Sequence, residues 1–172
     1  MEVSYTRTGE RRYRVGVTRD LAAPLVLEPA PGYHDHLPHD LVHFMVECHW
    51  GLKDGVYGQL AAGGTGLFRA VEQPGRRRSL QRDRKRGARR DTHSGRDIGR
   101  SEQLAQAALI AWTTHHSGRP APEHVLATLT AAAVAEADLA ACVDELVPLA
   151  GRWRSLPVGE SLTLTWPWPE RR

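Results

Sequence analysis

The sequence predicts an α+β fold in which a small antiparallel sheet packs against several helices. Two short β-type runs lie near the start of the 172-residue chain, and one alternating run lies near its end. The long segment between them is dominated by helical periodicity. A sheet of this kind buries one face under helices and leaves the other face to water. Because the length suits one core, we predict a single domain over residues 1–172.

The strands are predicted from alternation and turn residues. Residues 3–7 and 13–18 flank a glycine-containing turn at 8–11, which predicts a β-hairpin. Residues 24–28 are expected to add a third strand, and the alternating segment 161–166 is expected to return beside the hairpin. The hairpin and this C-terminal strand would form the predicted sheet.

The N-terminal helices are predicted from the signals at their ends. Residues 38–50 should form a helix, because Pro38 suits a first turn and Gly51 suits a stop. A second, shorter helix is expected to start at Asp54, which would cap it, and to end before Gly63.

The C-terminal half predicts further helices. Ser101 is expected to open one that ends near His116, and Pro122 is expected to begin another. An alanine-rich helical segment should then run to about Gly151, and Pro148 should kink or shorten it near its end.

A strongly basic segment interrupts the predicted domain. Residues 76–100 carry eleven Arg or Lys and three Asp, a net charge of +8, whereas the whole chain has a net charge of +3. Residues 74–98 contain almost no apolar side chain, so we predict a flexible basic loop there. Arginine outnumbers lysine 21 to 2, which indicates a GC-rich bacterial genome as one source of this charge.

The basic loop suggests a non-catalytic function. Clustered guanidinium groups can neutralise phosphates, so one hypothesis is a module that binds nucleic acid or an acidic partner without sequence preference. No aromatic side chain interleaves the run to stack on bases, which favours the alternative of a solvated insertion. The residues that would make the contacts are Arg76, Arg77, Arg78, Arg82, Arg84, Lys85 and Arg86.

The expected cellular location follows from three features of the sequence. No apolar run approaches the roughly 20 residues that span a bilayer. The N-terminus lacks the pattern of a secretory signal, and two cysteines are too few for a disulfide framework. We therefore expect a cytoplasmic protein with reduced thiols.

The richest chemical pattern is a histidine cluster. Residues 34–49 hold five of the nine histidines, and imidazole groups bind transition metals and move protons near neutral pH. On a helical wheel, one face of residues 38–50 is polar and lies opposite an apolar stripe. This face is either solvated or hydrogen-bonded, or it forms a metal site. The polar side chains on it are His39, Asp40, His43 and Glu47.

The run His39-Asp40-Leu41-Val42-His43 resembles the His-Glu-x-x-His helix of zinc metalloproteases. The resemblance covers only these five residues. It implies that His39 and His43 ligate zinc and that Asp40 polarises a bound water in a hydrolytic reaction. Asp40 is one methylene shorter than the glutamate of that family, so its reach is shorter.

A third metal ligand is not fixed by this pattern. Glu47 lies about 12 Å along the helix from His39, which is too far for both to share one ion easily. It is expected instead to act as a base or to orient His43. A third ligand would come from His36 or His34 in the preceding loop, or from a remote residue. The remote candidates are His115, His116 and Glu136.

Residues 37–47, followed by 55–61, also resemble a set of small bacterial proteins of uncharacterised activity. This resemblance would extend over much of the chain, and it implies no reaction. The leading hypothesis is therefore a histidine–carboxylate site on the first helix that binds zinc and supports hydrolysis, with Tyr57 nearby. The alternatives are the nucleic-acid module and a structural protein without chemistry.

Overall fold

The structure is a computed structural model that describes residues 1–32, 37–71, 95–118, 127, 130 and 132–171. Within these residues, five strands form one antiparallel sheet and four helices pack against it, which confirms the predicted α+β class. The elements in chain order are β1 (Glu2–Gly9), β2 (Arg12–Thr18), β3 (Leu25–Leu27), α1 (His39–Trp50), α2 (Val56–Ala61), β4 (Arg69–Ala70), α3 (Gly95–Ser117), α4 (Glu136–Ser155) and β5 (Ser161–Thr165).

The strands are ordered β4-β3-β2-β1-β5 across the sheet. β1 and β2 form the predicted hairpin, which runs from Glu2 opposite Thr18 to Gly9 opposite Arg12. β5 pairs antiparallel with the other edge of β1, so the C-terminal strand returns as predicted. The two-residue strand β4 is absent from the sequence prediction, because so short a segment carries no alternation.

The core lies between the sheet and the helices. Successive side chains of a strand point to opposite faces, and in β2 the residues Arg12 and Arg14 are exposed on the outer face. The alternate residues of the hairpin point inward and are covered by apolar side chains of the helices, such as Leu41 and Leu146. These buried hairpin residues are Val3, Tyr5, Tyr13, Val15 and Val17.

α1 carries the predicted histidine–carboxylate cluster, and α2 packs beside it. α1 begins within one residue of the prediction and ends at Trp50, as predicted. The next residue, Gly51, has a φ of 67°, in the left-handed region that glycine adopts without Cβ strain. α2 follows Gly55 and has no side-chain cap from its N-cap residue. The predicted capping role of Asp54 is therefore wrong, because another side chain, described below, occupies the N-terminus of this helix.

α3 begins at Gly95, so the predicted start at Ser101 is wrong. Its first turn is polar and lacks the apolar periodicity on which the prediction depended. Residues 95–98, predicted as the end of the basic loop, are helical. Residues 72–94, and the helix start predicted at Pro122, lie outside the described residues.

α4 continues through Pro148 to Ser155, so the predicted end near Gly151 is wrong. A proline inside a helix removes one N–H donor and leaves the carbonyl four residues earlier without its partner. Here both Pro148 and Asp144, which supplies that carbonyl, are exposed to solvent. Water can therefore satisfy the carbonyl, and the helix persists.

Two predictions concern the chain as a whole. No helix in the part of the chain that the structure describes is long and apolar enough to cross a membrane. The single domain over residues 1–172 and the cytoplasmic location stay predictions.

Candidate metal centre

Two helices bring three potential metal ligands together. His39 and His43 lie one turn apart on α1, and Glu102 lies near the start of α3. One ligand atom of each residue lies within 4.8 Å of the other two. Of the described residues, no other set of three His, Cys, Asp or Glu side chains meets this spacing. The metal ligands predicted on α1 are thus joined by a carboxylate from a distant part of the sequence.

The spacing is close to that of a zinc site. Glu102 Oε1 lies 3.6 Å from His43 Nε2. Ligand atoms of a tetrahedral zinc ion with bonds of about 2.0–2.2 Å are roughly 3.3 Å apart. The imidazole rings of His39 and His43 have centroids 4.7 Å apart and meet edge to face. The Glu102–His43 pair already has nearly this spacing, whereas separations of up to 4.8 Å in the group would have to shorten for all three atoms to bind one ion.

The three ligands differ in their exposure. The side chain of His43 is only 5% exposed, whereas that of Glu102 is 62% exposed. His39 is intermediate between these two. The group thus has one buried member, His43, and is exposed to solvent on the side of Glu102.

His43 has the protonation state that a metal ligand requires. Burial, assisted by the neighbouring His39, lowers the pKa of His43 to about 4. The imidazole is therefore neutral at pH 7 and has one nitrogen lone pair available for a metal. For the same reason its approach to Glu102 is not an ion pair at that pH.

A buried hydroxyl connects His43 to a buried carboxylate. His43 Nδ1 lies 2.8 Å from the hydroxyl oxygen of Ser101, and this hydroxyl donates to Glu47 Oε1 at 2.8 Å. Ser101 and Glu47 have no exposed surface. Glu47 is thus not part of the ligand group itself, as its distance along α1 from His39 predicts, but reaches His43 through Ser101.

Glu47 occupies the N-terminus of α2. Its carboxylate accepts hydrogen bonds from the backbone N–H groups of Val56 at 2.6 Å, Tyr57 at 2.8 Å and Gly58 at 3.4 Å. These N–H groups have no partner within the helix, so the carboxylate takes the place of an N-terminal cap. Burial raises the pKa of Glu47 to about 7, while the hydrogen bonds from Ser101 and from this backbone oppose the shift.

The close approach of Glu47 to α2 depends on a glycine. A Cβ atom at Gly55 would lie 2.5 Å from the carboxyl carbon of Glu47, which is closer than any real contact of this kind. Only glycine therefore leaves the carboxylate room to reach the helix N-terminus.

The opposite end of α2 is held by a buried cation. Arg19, only 6% exposed, donates to the carbonyl oxygens of Leu60 at 3.0 Å and Gly64 at 2.7 Å. A negative charge at the N-terminus and a positive charge at the C-terminus both complement the helix dipole. The six-residue α2 is thus fixed at both ends, and it fixes Glu47 in turn.

Asp40, the predicted base, lies beside the ligand group but is engaged elsewhere. The Tyr13 hydroxyl contacts its carboxyl oxygen Oδ2 and also lies 2.6 Å from the carbonyl oxygen of Pro31. Burial raises the pKa of Asp40, and the hydrogen bond with Tyr13 and the charge of His39 oppose this shift. One hydrogen-bond acceptor of the carboxyl group is therefore occupied by the Tyr13 hydroxyl of β2. The role of Asp40 towards a bound water stays a prediction.

The other predicted site residues do not join the group. His115 and Glu136 line a separate cavity of about 680 Å³ between α3 and α4. His115 is about 20 Å along α3 from Glu102, at 1.5 Å per residue. His116 stacks on Trp112. His34, His36 and the seven basic residues of the proposed nucleic-acid surface lie outside the described residues, so the nucleic-acid hypothesis stays a prediction.

Sequence reasoning missed Glu102 and Ser101. One signal for Ser101 is present in the sequence: it occupies the apolar stripe of α3, in line with Leu104 and Ala108, and a polar residue there needs a buried partner. Glu102 gives no such signal, because its role depends on the packing of α3 against α1.

Comparisons with known protein families, with curated proteins and with solved structures give no match. The functional argument therefore depends on the geometry of the site.

Proposed function

We propose that this protein binds a zinc ion through His39, His43 and Glu102 and uses the ion in a hydrolytic reaction. The observation that supports this proposal is the convergence of the three side chains, whose ligand atoms lie within 4.8 Å of one another. Two histidines and one glutamate are a ligand set of catalytic zinc in proteins.

The number and exposure of the ligands favour catalysis over a structural role. Structural zinc sites are closed by four protein ligands, whereas catalytic sites have three and leave the fourth position to water. Here three protein ligands are available, and Glu102 is solvent-exposed. If zinc is bound by these residues, it would act as a Lewis acid and lower the pKa of a bound water to about 7, which would supply a nucleophile at neutral pH.

The ligand arrangement also bears on which metal is bound. Two histidines and a carboxylate ligate Fe(II) in some oxygenases as well. Histidines at positions i and i+4 of one helix are, however, typical of zinc sites with the His-x-x-x-His spacing. We therefore propose zinc, and iron is an alternative result of the experiment below.

The carboxylates near the ligands have different roles in this proposal. Asp40 borders His39 and is the candidate for polarising the bound water, although Tyr13 holds part of its carboxyl group. Glu47 has no exposed surface, so it would act on the site through Ser101 and His43 rather than on a substrate.

Metal analysis of purified protein tests the proposal. The protein is prepared without a histidine tag, loaded with zinc, dialysed and measured by inductively coupled plasma mass spectrometry. We expect about one zinc per chain, and loss of zinc in the double variant His39→Ala/His43→Ala. Glu102→Gln should weaken binding by more than the roughly 10–100-fold that follows loss of a residue orienting a ligand. Glu145→Gln is the matched control and should bind zinc normally. It removes an exposed carboxylate of α4 that contacts His49, a third histidine of α1.

Three results would contradict the proposal. Protein without metal, together with unchanged stability of the double histidine variant, would mean that the cluster is only hydrogen-bonded. Preferential retention of iron would overturn the choice of zinc. If zinc binds but the loaded protein cleaves nitrophenyl esters and phosphates no faster than the double variant does, the hydrolytic part is wrong.

A further inference from the structure

Ser101 stands between the candidate metal ligand His43 and the buried carboxylate of Glu47. All three side chains are nearly or completely buried, and both hydrogen bonds of the chain are 2.8 Å long. A serine hydroxyl has one hydrogen to donate and two lone pairs to accept. The direction of the hydrogen bond to Glu47 therefore decides which nitrogen of His43 carries the proton.

The surroundings of Glu47 fix that direction. Its Oε1 already accepts from the N–H of Val56, and its Oε2 accepts from the N–H groups of Tyr57 and Gly58. These backbone donors favour the ionised carboxylate, which can only accept and which predominates above the Glu47 pKa of about 7. Ser101 must then donate its single hydrogen to Glu47.

The remaining contact follows from this assignment. Having donated its hydrogen to Glu47, Ser101 can only accept from His43 Nδ1, which must therefore carry the proton. A neutral imidazole has one N–H, so the lone pair is on Nε2. Nε2 is the nitrogen that lies 3.6 Å from Glu102. The hydrogen-bond chain thus presents the lone pair of His43 to the proposed metal position.

We propose that Ser101 is a positioning residue that holds His43 in the Nδ1–H tautomer and so directs its Nε2 lone pair towards His39 and Glu102. The tautomer follows from the hydrogen bonds around an ionised Glu47, whereas its consequence for metal binding rests on the proposed function. Buried carboxylates commonly orient metal-binding histidines, and their loss weakens metal affinity about 10–100-fold. Here Ser101 extends the reach of Glu47 to His43.

The tautomer can be measured in the protein without metal. Long-range ¹H–¹⁵N spectra distinguish a protonated ring nitrogen from an unprotonated one, and the signals of His43 are assigned from their absence in His43→Gln. At about pH 8, above the pKa of Glu47, we expect the Nδ1–H tautomer in the unmodified protein. Ser101→Ala should lose this preference, whereas Ser155→Ala, which removes an exposed hydroxyl on α4, should keep it. An Nε2–H tautomer in the unmodified protein would overturn the inference, and this measurement needs no variant of Ser101 to fold.

Zinc titration of the same proteins tests the consequence. We expect Ser101→Ala to bind zinc about 10–100-fold more weakly than the unmodified protein, with Ser155→Ala unchanged. Equal zinc affinity in Ser101→Ala despite a changed tautomer would overturn the positioning role. If the unmodified protein has the Nδ1–H tautomer but binds no zinc, the assignment of Ser101 stands while the proposed function fails.

Discussion

Replacement of Glu47 by glutamine should destabilise the protein by roughly 2–3 kcal/mol. The amide nitrogen of the new side chain fits best on the side of Ser101, whose hydroxyl can reverse and donate to His43. The partly buried N–H of Val56 then loses its acceptor, which costs about 1–3 kcal/mol where water does not replace it. Loss of the negative charge at the N-terminus of α2 destabilises the protein by a further amount of at most about 2 kcal/mol. The glutamine variant no longer buries a charge, and this gain offsets part of the total destabilisation.

Urea denaturation followed by tryptophan fluorescence measures this change, since Trp166 packs against Tyr57 of α2. Glu145→Gln is the control, because it removes an exposed carboxylate whose contact is worth less than about 1 kcal/mol. A free energy of unfolding for Glu47→Gln within about 0.5 kcal/mol of the unmodified protein would refute the assignment of Glu47 as the anchor of α2.

Two further predictions concern the same buried elements. Gly55→Ala should displace the Glu47 carboxylate and lower the free energy of unfolding. Gly151→Ala should raise it by about 0.5–1 kcal/mol, because a Cβ atom at Gly151 meets nothing within 4 Å. Destabilisation by both substitutions or by neither would contradict the role of Gly55. The stability of the protein should also depend on pH. The pKa of His43 is lowered from 6.5 to about 4, so His43 contributes stability above pH 6.5 that is lost as pH falls through 4. The pKa of Glu47 is raised from 4.5 to about 7, so Glu47 contributes stability below pH 4.5 that is lost as pH rises through 7. In Glu47→Gln only the effect of His43 remains. Between pH 7 and pH 4 its free energy of unfolding should therefore fall by about 3 kcal/mol more than that of the unmodified protein. Urea denaturation at each pH measures this difference, and curves of stability against pH that run parallel for the two proteins would refute it.

The sheet and α1 could be predicted because their signals are local. The hairpin and β5 alternate apolar and polar residues, and α1 is bounded by Pro38 and Gly51. The early start of α3 and the continuation of α4 beyond Pro148 could not be predicted in this way. The first turn of α3 carries no apolar pattern, and α4 continues past a proline at a place where Asp144 and Pro148 are exposed to solvent.

The candidate site was predictable only in part. The spacing of His39 and His43 follows from the helical repeat, so their pairing could be derived from the sequence. Glu102 joins them through the packing of α3 against α1, which no local pattern encodes. The polar face of α1 is also not simply solvated, because α2 and α3 cover His43 and Glu47.

Anomalous diffraction at the zinc absorption edge, measured on crystals of the zinc-loaded protein, tests the metal assignment most directly. The proposed zinc site predicts one strong peak about 2.0–2.2 Å from ligand atoms of His39, His43 and Glu102. A peak elsewhere, such as beside the adjacent pair His115 and His116, or the absence of a peak in protein equilibrated with zinc, would contradict the account.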